Sequence, residues 1–398
     1  MRILLMSVLI LYMVQAQNIT QLIHSALQKH PSLQTIQQRI SAMDEKILLS
    51  QKLENPDVSL SINDIQFNKP LHRDLEPMQY QAVQFKQKFP WFGKLDAHKT
   101  YVQTQKKIIL HSLDVAKVTL AENIRITAYS IKELESRIKI VKNYIDVAQQ
   151  NIKLYTSYAS TDTKSHTNSM NASLLLTKVN IKLAHYKALL KSQKAKLKYL
   201  TQEDINHLQV SLSMQKPKSL HYYLSRIEHN PNYHIYLSKK ERALANQTVQ
   251  ELNSMPDPYV KAGYFNREGY RDYTTITIGA SIPLYGSEKL KSEVARKEVL
   301  ASSSASLDYK STLYEKIETL YAKLTEAHTI YTIIHTQTLP QLEHMFELTQ
   351  ASIQQGGDLF AYTNLLEQKL DLEEQSISIQ AQYRKTQAKL KALIGEIE

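Results

Sequence analysis

None of the common catalytic spacings occurs in this chain. It has no H-E-x-x-H, no G-x-S-x-G and no phosphate-cradling glycine loop. Cysteine is absent, which excludes a thiolate nucleophile, a disulfide, a thiolate metal site and a cysteine able to carry a lipid anchor. The 14 histidines are scattered, with no close His-x-His spacing of the kind metal sites use. His328 and His335 lie seven apart on one helical seam, where packing accounts for them better than ligation. The 9 methionines are dispersed as well, three of them within the first sixteen residues, so no soft-metal relay is read. The chain therefore reads as a non-enzyme with no cofactor and no metal site. Its most pointed chemistry sits at one polar turn, IQQGGDLF. There Gly356 and Gly357, the only adjacent glycines, precede Asp358 and the apolar Leu359 and Phe360. The glycines permit a chain reversal; a carboxylate beside them attracts cations if several copies converge.

The elements that hold this turn must be long. Only 8 glycines occur in 398 residues, and none lies between Lys94 and Ala262. Apart from Pro340, the prolines avoid the stretches rich in Lys, Glu, Leu and Ala. Such scarcity of breakers predicts very long helices. The start, MRILLMSVLILYMVQA, reads as a secretory signal peptide over 1–16, with cleavage after Ala16. No second apolar run is long enough for a spanning helix. The formal net charge of +11 is spread through helical patterns among nearly as many acids, so solvated helix faces explain it better than nucleic acid does.

One phrase is written twice. KFPWFGK (88–94) and SIPLYGS (281–287) each pair a proline with bulky residues and a glycine, and each leads into a run of helix formers. Upstream of each, a helix opens at His30-Pro31 or Asn230-Pro231. About twenty residues later come Asn-Pro-Asp-Val (55–58) and Asp-Pro-Tyr-Val (257–260). This is a tandem duplication, with a first repeat over 17–205 and a second over 206–398. Strands with a period of two precede each phrase. Val83, Phe85 and Phe89 alternate with Gln84, Lys86 and Lys88; Ile276, Ile278, Ala280 and Ile282 alternate with Thr275, Thr277, Gly279 and Ser281. VSLSIN and VKAGYF supply two more. Four such strands match those of an outer-membrane barrel, although a water-soluble sheet with one wet face has the same pattern. The alternation predicts that Val83, Phe85, Ile276 and Ile278 face lipid, and that Lys86, Lys88, Thr275 and Thr277 face a lumen. Phe89, Trp91, Phe92 and Tyr285 are expected at a membrane–water interface. Pro90 with Gly93, and Pro283 with Gly286, are expected to end a strand and admit a helix.

Beyond each phrase the period becomes helical. Leu313, Ile317, Leu320, Leu324, Ala327, Tyr331 and Ile334 step by four and three. Leu134, Ile138, Val141, Ile145, Ala148, Ile152 and Tyr155 do the same. That is a coiled-coil seam. A helix from Lys94 to about Tyr155 spans roughly 90 Å at 1.5 Å per residue. Because the legs of the hairpins are unequal, some outgoing helices are expected to break.

In the order of these elements the sequence resembles the TolC family of outer-membrane efflux proteins. NPDVSL and DPYVKA, the two Pro-x-x-Gly phrases, and ASIQQGGDLFAYTNLLEQKLDLEEQ carry the resemblance over essentially the whole mature chain. The resemblance implies a mainly α fold with a small β part. Three protomers would each give four strands to one 12-stranded barrel, which continues into a periplasmic coiled-coil tunnel. It implies a homotrimer in outer-membrane lipid, acting as the passive exit duct of a tripartite system with a periplasmic adaptor and an inner-membrane pump. The tips, at Gly356, Gly357, Asp358 and Leu359 and at Thr161 and Asp162, would contact the adaptor and form the gate, with Asp358 in a threefold ring. The linker from about 201 to 220 is short, so a thin equatorial belt is expected. Metal cations or small toxic molecules are the implied cargo, the histidine content and absent anchor cysteine favouring a metal-resistance branch. Other readings are the outer-membrane component of a type I protein secretion system, a structural periplasmic coiled coil, and, less well, a pump adaptor. Duplicated strand pairs argue against the structural coiled coil, and scarce glycine argues against the adaptor.

Overall fold

The computed structural model describes residues 17–158, 163–205, 207–354 and 359–397. The expected signal peptide and the tip residues Thr161, Asp162, Gly356, Gly357 and Asp358 lie outside the described residues. The first half runs β1 (Gln17–Asn18), α1 (Ile19–Lys29), α2 (Pro31–Leu49), β2 (Asp57–Asn63), β3 (Tyr80–Lys88), α3 (Lys94–Tyr158) and α4 (Thr163–Thr201). The second runs β4 (Leu208–Gln209), α5 (Leu220–Leu224), α6 (Pro231–Leu252), β5 (Asp257–Asn266), β6 (Tyr273–Ser281), α7 (Ser287–Ile333), α8 (Leu339–Gln354) and α9 (Leu359–Leu393). The order is thus written twice: a helix opening on proline, two strands, then long helices. Pro31 and Pro231 both occupy the first helical position, where a missing N–H costs nothing.

The glycine-free stretch opens with a single helix of 65 residues, α3. Its counterpart α7 stops after 47 residues at a π-helical turn over Ile334–Thr338. Pro340 is the reason: its ring cannot continue an α-helical ladder, and one wider turn, closed by Leu339 N–H to Ile334 C=O, absorbs it.

The chain divides into two compact units, each assembled from both halves of the sequence. One, residues 35–113 with 231–310, holds a four-stranded antiparallel sheet in the order β2-β3-β5-β6. Helices α2 and α6 and the near ends of α3 and α7 belong to it. Lys106 pairs there with Asp44 and Lys107 with Glu241 (2.9 Å), while Tyr236 stacks on Tyr309 at 4.4 Å.

The other unit takes in residues 17–34, 114–230 and 311–397, and its described residues are mainly helical, with the short parallel pair β1·β4. Its core includes Leu134, Val141 and Tyr144 of α3, Leu175, Val179 and Tyr186 of α4, and Leu366 and Leu370 of α9. Ile138 and Ile145 pack against that cluster, so the four-and-three steps read from the sequence hold from Leu134 to Ile145. On α7, Leu313, Ile317 and Leu324 are fully buried at the same steps.

Candidate functional site

The sheet sorts its residues by face, because directly opposed residues in antiparallel strands project to the same side. Val58, Phe85, Ala262 and Ile276 form one cross-strand row, and Leu60, Val83, Tyr264 and Thr274 the next. On the opposite side lie Asp57, Lys86, Lys261 and Thr277, then Ser59, Gln84, Gly263 and Thr275. The apolar side is uncovered: Leu60 is 80% exposed, Ile276 75% and Ile278 78%. Side chains of this kind are normally among the most buried in a protein, so an open row of them marks a surface made for a nonpolar medium or a partner.

Aromatic residues interrupt the polar side. Phe265 and Tyr259 lie on the polar side, each over a glycine. A Cβ on Gly263 would meet the Phe265 ring at 2.8 Å, and one on Gly279 would meet Tyr259 at 2.5 Å. Phe265, itself buried, also stacks on Tyr273 at 4.7 Å and meets Tyr80 edge-on at 5.0 Å, closing the loop end of the polar side with an aromatic cluster. Between β2 and β3, buried Arg73 donates to the carbonyls of Asn63 (3.3 Å) and Asp64 (3.1 Å). Gln79 accepts from the Leu75 N–H (2.8 Å) and fixes the long connection.

At the other end of the sheet the chain passes into helices. Pro90 and Gly93 lie between β3 and α3, and Pro283 and Gly286 between β6 and α7. Gly93 has φ +84° and Gly286 φ +73°, backbone that side chains with a Cβ rarely adopt. Each glycine carbonyl accepts the first helical hydrogen bond, from Ala97 N–H (2.9 Å) and Leu290 N–H (3.2 Å). The aromatics beside them are solvent-facing: Phe89 and Trp91 are partly exposed, Phe92 is 87% exposed and Tyr285 99%. Trp91 and Phe92 meet edge to face at 5.9 Å.

A clasp that the sequence reading did not single out joins the two halves here. Asp257, the first residue of β5, accepts from the Trp91 backbone N–H (2.8 Å) and from Lys94 Nζ (2.6 Å), and Lys94 also donates to the Met255 carbonyl (2.9 Å). The Lys94 side chain is 7% exposed, which makes this a buried cation with its charge answered. The only signal in the sequence is that acid and lysine each sit at the edge of a repeated phrase. At the matching positions of the other copies stand Asn55 and Ser287, so the ionic form occurs once.

The helical unit has a polar network of its own. Lys182 donates to Asp371 (2.9 Å) and Glu374 (2.7 Å); Arg137 pairs with Glu133 (2.9 Å) and donates to the Tyr186 hydroxyl (3.2 Å). Burial opposes the Lys182 charge, but Glu374 and Asp371 outweigh it and hold its pKa above the usual lysine value. Burial raises Glu373 above the ordinary carboxyl value, with Lys369 opposing, and does the same to Glu122 against Lys389. His335 shares a hydrogen bond with Ser376 (2.9 Å), and His328 lies against Tyr383. Among the described residues no cluster of three or more His, Asp or Glu is placed to hold a metal ion, and no helix is long and apolar enough to cross a membrane.

Residues 22–201 match the family model described as outer membrane efflux protein. This part of the chain thus carries the sequence pattern of outer membrane efflux proteins. The matched span covers most of the first repeat, and the fold extends the likeness over nearly the whole length. The outer membrane protein VceC from Vibrio cholerae is 14% identical to this chain. It superposes with a TM-score of 0.78 over 96% of this chain and 97% of its own. The CmeC outer membrane channel of Campylobacter jejuni is 12% identical, with a TM-score of 0.77 over 95% and 85%. The MtrE outer membrane channel of Neisseria gonorrhoeae, described in an open state, is 12% identical, with a TM-score of 0.77 over 95% and 89%. No curated protein sequence matches the chain. The chain thus shares the fold of these outer membrane channels over nearly its whole length. The tip residues named from the sequence, Gly356, Gly357, Asp358, Thr161 and Asp162, lie outside the described residues; Leu359 is the first residue of α9.

Proposed function

We propose that three copies of this chain close one 12-stranded barrel in outer-membrane lipid and form the passive exit duct of a tripartite pump. One observation carries this reading: a four-stranded sheet with an exposed apolar side and two unpaired edges, β2 and β6. Four strands cannot close on themselves, and an open edge is a template for pairing.

The duplication specifies how the edges meet. Phe85 and Ala262 oppose each other within the chain, and their counterparts in the other copies are Ile278 and Leu60. Carrying the internal β3·β5 register across the seam therefore sets Ile278 opposite the partner's Leu60. By the same rule Ile276 meets the partner's Ile62, and Thr277 meets the partner's Ser61. Apolar residues meet apolar ones on one side and polar meet polar on the other, as a continuous barrel wall requires. The apolar side then faces lipid and the polar side a lumen. Phe89, Trp91, Phe92 and Tyr285 lie at the periplasmic interface of the bilayer.

An inner-membrane pump and a periplasmic adaptor supply the energy and the docking, and the adaptor engages the hairpin ends around Thr161–Asp162 and Gly356–Leu359. A ring of Asp358 carboxylates narrows that end. The lysines on the polar side favour small toxic molecules, organic anions included, over free metal cations as cargo.

The reading is tested by extracting the protein from outer membranes in mild detergent. Heat-sensitive migration near three times the monomer mass, together with channel activity in planar bilayers, is the expected result. A soluble, detergent-free monomer overturns it.

A further inference from the structure

The polar side of the sheet is not evenly polar. At its helix-proximal end Lys86 and Lys261 are directly opposed on the two central strands, and Lys88 stands one row further down, opposite Tyr259. Like charges directly opposed destabilise a sheet, so this pair costs stability unless something negative answers it. Asp57 completes the row beside Lys86, yet among the described residues no ion pair joins a carboxylate to Lys52, Lys86, Lys88 or Lys261. Lys86 is held in place all the same: its ammonium lies 4.5 Å from the centre of the Tyr259 ring, and that ring in turn lies over Gly279.

Beside these residues opens a cavity of about 580 Å³, lined among others by Lys52, Glu54, Lys86, Lys88, His98 and Tyr259. Its volume is that of a small-molecule site. Lys94, in the same wall, is neutralised by Asp257, which leaves three lysines facing the single carboxylate of Glu54. Lipid headgroups do not answer this charge, because Lys86 and Lys88 project to the side opposite Val83 and Phe85.

We infer that this lysine belt is a binding site for anionic solutes, and that it makes the strand end of the duct anion-selective. The lysines of three copies would ring one lumen, concentrating anions there and repelling cations. The cargo class this favours is small organic molecules carrying carboxylate, sulfate or phosphate groups. The inference rests on the duct reading, since it takes the polar side for the lumen wall.

Two measurements on the full-length, detergent-solubilised protein separate the possibilities. In calorimetry with inorganic tripolyphosphate, the Lys86→Gln/Lys261→Gln double variant should bind at least roughly tenfold more weakly than the parent, about 1.4 kcal/mol or more. Gly279→Ala, which drives a methyl group into the Tyr259 ring and releases Lys86, should weaken binding with every charge kept. In planar bilayers under a KCl gradient the parent should favour chloride, and the double variant should shift towards potassium. Parent-like tripolyphosphate affinity in the double variant overturns the site. Channels whose selectivity ignores both lysines overturn the belt and leave the duct standing. Failure of the assembled parent protein to conduct at all sinks the duct reading and the belt with it.

Discussion

Because the chain has no cysteine, the proposed seam between protomers can be read directly with introduced thiols. The register places Ile278 opposite the partner's Leu60, so Ile278→Cys with Leu60→Cys should oxidise into a covalent ring of three. Directly opposed residues in antiparallel strands have Cβ atoms about 4.5–5.5 Å apart, within a small adjustment of the roughly 3.5–4.5 Å that a disulfide needs. A slip by two residues moves the partner position along the strand by about 6.8 Å, beyond reach. A slip by one residue sends the two thiols to opposite sides of the wall and turns Leu60 into the lumen. Ile278→Cys with Ile62→Cys is therefore the discriminating control and should stay uncrosslinked. Phe85→Cys with Ala262→Cys, opposed within one chain, should close an internal loop without raising the mass. The assay is non-reducing electrophoresis of outer membranes after mild oxidation. If the Ile62 pair forms the trimeric ladder and the Leu60 pair does not, the transfer of register from the internal repeat is wrong.

Further outcomes follow from the same structure. Ile276→Arg should cost about 2–4 kcal/mol of barrel stability and reduce assembled trimer, whereas Thr277→Arg should assemble and change mainly conductance; equal yields would contradict the assigned faces. Asp257→Ala strands the buried Lys94 ammonium and should destabilise the protein by about 3 kcal/mol in thermal melts, with Lys94→Met restoring part of the loss in the double variant. Burial raises Glu373, so the folded state holds its proton above pH 4.5, where the unfolded chain has begun to lose it. That contribution is complete below the unfolded value and fades as pH rises through the folded one. Glu373→Gln should therefore flatten the decline in thermal midpoint as pH rises above about 4.5, and an unchanged slope would show that Glu373 is not the group concerned.

The period of the apolar residues was enough to place both kinds of element. Alternation at 83, 85, 276 and 278 gave the strands, and the four-and-three steps from Leu134 and Leu313 gave the helices, because side-chain direction is a local property of the backbone. The Pro-x-x-Gly phrases were legible for the same reason: a positive φ at Gly93 and Gly286 is a demand that the chain makes locally. The unequal hairpin legs implied a break in an outgoing helix but not its form; the wide turn before Pro340 depends on how the rest of α7 and α8 is held. What the sequence left hidden are contacts between residues far apart in the chain. Asp257 meets Lys94 across more than 160 positions, and no pattern in either copy announces the pair. Tyr259 folds over Gly279 and carries Lys86 only because the register of three strands brings them into line. Alternation says that Lys86 and Lys261 are on a polar side; only the pairing of β3 with β5 makes them opposite one another. Local preferences act within a turn or a strand, whereas charge meets charge only after the strands of both repeats have paired in one sheet.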